Sequence, residues 1–83
     1  MNPPDWLSRH DGAIRESTDG RTWFVYFDGA PHYKLAPEPA DGQFACRLQQ
    51  TENGKWIGKG TLYPNGDEAL RGGLEELREF LGW

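Results

Sequence analysis

QFACRLQQTENGKWIGKGTLYPNGDEALRGGLEELREFLGW, residues 43–83, changes its period once. As far as Tyr63 apolar and polar positions alternate, as on a strand with one buried face; beyond Asn65 the leucines recur at helical spacing. Leu70, Leu74, Leu77 and Leu81 stand at i, i+4, i+7 and i+11, which is one face of an α-helix expected over residues 67–81. Asn65 with Glu68 three residues later has the form of a capping box. Gly82 is placed to be a left-handed cap that returns Trp83 onto Leu77 in a Schellman arrangement. Gly72 and Gly73 cost about 1 kcal/mol each relative to Ala inside a helix, so a kink or a close approach to the sheet is expected there.

The hairpin before the helix turns at Glu52-Asn53-Gly54. A two-residue loop would set Phe44, Cys46 and Leu48 on one face with Ile57, Lys59 and Thr61. A three-residue loop, with Gly54 in the left-handed bulge position, sets them instead with Trp56, Gly58, Gly60 and Leu62. It leaves Arg47, Gln49 and Thr51 with Lys55, Ile57, Lys59 and Thr61 on the other face. The three-residue loop separates apolar from polar better, and register follows that separation. Gly58 and Gly60 are then expected beneath the helix.

Farther upstream, an acid or its amide precedes glycine at Asp11-Gly12, Asp19-Gly20, Asp28-Gly29 and Asp41-Gly42, a series that Asn53-Gly54 and Asn65-Gly66 complete. Glycine takes positive φ freely and Asx side chains bond turn backbone, so each pair can reverse the chain. A turn at Thr18-Asp19-Gly20 pairs Ile14 with Phe24 and Arg15 with Trp23. A four-residue loop over Asp28–Pro31 pairs Phe27 with His32 and Val25 with Lys34. Phe24, Tyr26, Tyr33, Leu35 and Ile14 then join the inner face. Residues 36–40, Ala-Pro-Glu-Pro-Ala, read as a surface loop because proline cannot donate in a ladder. Asn2 capping Pro3, with Asp5 early and Arg9 and His10 late, predicts one or two helical turns over residues 3–10. The expectation is an α+β single domain over residues 1–83. A short N-terminal helical turn lies within residues 1–11, and residues 12–63 form an antiparallel β-meander of four to five short strands. One C-terminal α-helix, residues 67–81, packs on one face.

The 83 residues carry 9 cations and 13 acids, a net charge of −4. Such a balance argues against a protein coated in nucleic acid. The charge is unevenly spread: two cations and four acids in residues 1–20, five and four in 21–63, two and five in 64–83. A core this small supplies a margin of about 3–5 kcal/mol. Cys46 is the only cysteine, which excludes an internal disulfide and a cysteine zinc cluster. The start of the chain has no secretory pattern and no stretch is long enough to span a membrane, so a cytoplasmic protein without a membrane partner is expected.

With these registers the outer face holds Arg15, Trp23, Phe27, His32, Lys34, Arg47, Lys55 and Lys59, the candidate binding residues. Five fixed cations and no acid, interleaved with rings, suit single-stranded nucleic acid: phosphates seek the charge and bases stack on the rings. The ordinary account is that Lys and Arg fill a solvated strand face and that Trp6 and Leu7 cover the rings. Eleven aromatics in so short a chain exceed what a small core holds, and an exposed patch commonly marks a protein partner. A protein-interaction module is therefore the first expectation and nucleic-acid binding the alternative, with the chain a monomer or weak homodimer. The hairpin and helix of the last forty residues resemble in outline the sheet-plus-helix DNA readers of plants and phage integrase arms. That likeness rests on topology without a shared motif.

Catalytic chemistry is not in evidence. Cys46 alternates inward between Phe44 and Leu48, a small buried hydrophobe more than a nucleophile. His10 and His32 lack a partner for base or ligand duty. Asp67-Glu68 and Glu75-Glu76 are expected on the solvated side of the helix, and no calcium or phosphate loop is present. No enzyme, metal or cofactor is expected.

Overall fold

The computed structural model describes residues 2–83. Five antiparallel strands follow chain order across one sheet: β1 (Ala13–Glu16), β2 (Trp23–Phe27), β3 (Ala30–Ala40), β4 (Gln43–Gln50) and β5 (Leu62–Tyr63). The helices α1 (Asp5–Arg9) and α2 (Gly66–Leu81) share one side of it. Trp6 and Leu7 of α1 join Ala69, Leu70, Leu74 and Leu77 of α2 in one cluster with Val25, Leu35, Cys46 and Leu48 of the sheet. The expected α+β outline is the one found.

Local chemistry explains the ends of α2. Asn65 accepts the Glu68 N–H at 2.9 Å, Gly82 sits at φ 75°, and Trp83 N–H returns to the Arg78 carbonyl at 3.1 Å. The last two features are those of the expected Schellman arrangement, and the Trp83 ring stacks on His10 at 3.6 Å. The glycines at the middle of α2 are a close approach: a Cβ on Gly73 would overlap Cys46 Sγ, and one on Gly72 would overlap the Tyr63 ring. This is the close approach expected of Gly72 and Gly73; Gly58, expected beneath the helix, lies against Cys46 and Leu48 of the sheet, and a Cβ on Gly60 would meet nothing within 4 Å. In α1 the N-terminal position is Pro4, extended and without a side-chain cap, so Asn2 does not cap. A residue before proline is pushed out of helical conformation, which delays the helix past Pro3.

Four expectations on the sheet are corrected. Asp28-Gly29 is a two-residue turn, both residues at positive φ, closing the pair Phe27↔Ala30. The register then shifts at His32, so that Tyr26 faces Pro31 but Val25 faces Tyr33, a bulge. On its other side β2 meets a longer loop closed by Ser17 N–H to Thr22 O at 2.8 Å, setting Ile14 opposite Val25 and Arg15 opposite Phe24. Both shifts turn β2 over: Trp23, Val25 and Phe27 face the helices, while Phe24 and Tyr26 face away.

Residues 36–40 are strand, not loop. Thr51 N–H donates to His32 O at 3.0 Å, which fixes the phase of the β3–β4 ladder. Even-numbered β3 residues bond β4, and Pro37 and Pro39 turn their missing donors the other way. There β2 has already ended, since its last pair is Trp23↔Leu35. Proline is tolerated on such an open edge.

Beyond Gly54 the hairpin pairs Gln50 with Lys55 and Gln49 with Trp56, so Trp56 points away from the helices and Ile57 toward them. Residues 57–61 then leave the ladder, with Ile57 N–H still on Leu48 O at 2.9 Å, and pairing resumes at Ala45↔Leu62. Glu76 holds this detour. It is 6% exposed, not solvated as expected, and accepts Lys59 N–H at 2.6 Å and the Tyr63 hydroxyl at 3.2 Å.

Candidate functional site

With both helices on one side, no element of the described residues covers the other face of the sheet. A row crosses that open face as Arg15, Phe24, Lys34, Gln49 and Trp56, one residue from each successive segment, two rings set among two cations and an amide. On one side of it lies Tyr26, and on the other Ala36 and Arg47, then Glu38, Ala45 and Leu62. Trp56 is 49% exposed and Leu62 39%.

Two guanidiniums lie on rings of this face. Arg15 Cζ stands 5.0 Å from the Tyr26 centroid and Arg47 Cζ 4.0 Å from that of Trp56. Arg47 also bonds Glu38 at 3.1 Å. Glu38 is the one acid among the described strand residues of the face, so Arg15 and Lys34 leave its charge positive. Flat aromatic and guanidinium groups lose little freedom when a partner settles on them, and these residue types concentrate binding energy at interfaces.

Of the eight candidate residues, Arg15, Lys34 and Arg47 lie together on the open face. Trp23 and Phe27 are corrected to the helix side, because β2 is turned over. His32 sits at the bulge with its ring 5.8 Å from Phe27. Lys55 falls opposite Gln50, on the helix side of the hairpin end. Lys59 is carried off by the detour and pairs with Glu79 of α2. Phe24, Tyr26 and Trp56 take the ring positions instead. The Asp28-Gly29 pair carries the signal for a two-residue turn, but the bulge at His32 has no comparable sequence mark.

No group of three His, Cys, Asp or Glu that could hold a metal occurs among the described residues. Burial, and then the nearby Glu76 charge, push the Cys46 thiol up to about 12, leaving it a neutral, sheltered group. No described helix is long and apolar enough to cross a membrane. No family model, curated protein or solved structure matches this chain.

Proposed function

We propose that this chain is a non-enzymatic binding module, cytoplasmic and monomeric or weakly dimeric, that engages another protein through its open sheet face. The observation that carries this is Trp56, half exposed beneath the Arg47 guanidinium on a face that no helix covers. The cationic surround of Arg15, Lys34 and Arg47 suits a partner that offers carboxylates around an apolar centre. Nucleic-acid binding is the second reading, favoured by rings set among cations on one face. Against it, Arg47 already occupies the Trp56 ring that a base would stack on, and the net charge is −4.

The test is capture of a partner from the source cell by wild type and by Trp56→Ala. A half-exposed ring contributes little to folding, so the melting temperature should hold while affinity falls by about 30-fold, the scale of an interface hot spot. Equal capture by both proteins would refute the open-face reading. Binding to a single-stranded oligonucleotide that falls steeply with salt would establish the second reading.

A further inference from the structure

Where β2 ends at Trp23 and β3 runs on to Ala40, a cleft of about 680 Å³ opens along the free edge of β3. Trp23, Pro37, Pro39 and Phe44 form its apolar lining. Asp19 and Glu38 line it too, Asp19 accepting from Ser17 and the Arg21 N–H, and Glu38 from Arg47. The ladder phase turns the main-chain groups of Pro37 and Pro39 into this space, away from β4. Each offers a carbonyl and, being proline, no N–H. No described group donates to either oxygen outside the strand ladders.

An edge made only of acceptors has a definite chemical preference. An ordinary strand needs donors as well as acceptors from its neighbour, so strand addition is poorly served; the prolines guard the edge against it. A ligand that only donates has no such mismatch. Guanidinium has five N–H donors in a plane and no acceptor, and its flat faces lie well against rings.

We infer that this cleft binds an arginine side chain of a peptide or protein ligand, through the Pro37 and Pro39 carbonyls, the Trp23 and Phe44 rings and the Asp19 and Glu38 carboxylates. Lysine, a compact and strongly hydrated donor, fits the flat lining less well. Arg21 also lines the cleft. Its side chain makes no hydrogen bond or ion pair among the described residues, so its charge opposes the ligand. The cleft shares Glu38 with the open face, where that residue bonds Arg47, but its prolyl carbonyls and the Trp23 ring lie apart from Trp56, so either reading can fail without the other.

The experiment is an NMR titration of the intact chain with N-acetyl-arginine amide and with its citrulline counterpart, which keeps the shape but has a carbonyl oxygen in place of one terminal NH2, so that the positive charge and two N–H donors are lost. The arginine probe should shift the Trp23 indole resonance saturably, and citrulline should bind at least about tenfold more weakly, the scale of charge-assisted hydrogen bonds. Glu38→Gln should weaken arginine about two- to fivefold, as loss of an exposed ion pair does. Arg21→Gln should strengthen it, and Trp56→Ala should leave it unchanged. Equal binding of citrulline, shifts centred on Trp56 in place of Trp23, or no saturable shift at the solubility limit of the arginine probe would each overturn the assignment.

Discussion

Asp19 accepts from the Ser17 hydroxyl and, at 3.0 Å, from the Arg21 N–H. The Ser17 bond first, and then the Arg21 bond, hold its carboxyl below the ordinary value. The sign follows from that lowering: the folded turn prefers the carboxylate, so its contribution is complete above the ordinary carboxylate range and is lost as pH falls through the lowered value. In an acid titration the Arg21 amide resonance should therefore move with an apparent pKa below that of a free aspartate. Asp19→Asn should abolish that movement; an unchanged profile would show that the amide reports on another group. Because the loop length sets which way β2 faces, this small Asx turn bears on the whole sheet. An aspartate before glycine shows in the sequence as a turn former. That its loop spans Ser17 to Thr22 does not, because several loop lengths place Asp19 equally well.

The docking of α2 depends on two missing side chains. Gly73→Ala would gain about 1 kcal/mol in helix propensity, but its Cβ would overlap Cys46 Sγ and press toward Leu35. Overpacking commonly costs 1–3 kcal/mol or more, so we expect a net loss of up to about 2 kcal/mol in urea denaturation. A raised midpoint would show the helix standing off the sheet. Leu74, buried at 3% exposure, should lose about 2–5 kcal/mol on truncation to Ala, the ordinary cost of a core cavity; an unchanged melting temperature would mean that the leucine stripe is undocked. The helix is legible in advance because its period, cap and terminal glycine are all local. Strand β2 is not: Trp23-Phe24-Val25-Tyr26-Phe27 is apolar at every position, so its pattern favours neither face.

Trp83 ties the two ends of the chain together. It stacks on His10 at 3.6 Å and meets the rings of Trp6 at 6.1 Å and Phe27 at 5.6 Å. Trp83→Ala should cost about 1–3 kcal/mol, less than a fully buried ring because Trp83 remains 40% exposed. Hydrogen exchange at residues 5–12 should quicken before that of β4, since Trp83 lies directly against Trp6 and His10; uniform quickening would show that the contact has no local role. The amino-acid order by itself determined the turn positions, the leucine face and capped ends of α2, and the inward course of Leu35, Cys46 and Leu48, because each depends on neighbours within a few positions. Only tertiary structure decided which rings join Arg15, Lys34 and Arg47 on the uncovered face, and that Glu76 and Lys59 leave solvent-side roles to fasten the detour to α2. Side chains on a strand alternate with period two, so one inserted residue at His32 exchanges the two faces of β2. Packing against the helices, which puts Val25 and not Tyr26 inside, selects between them.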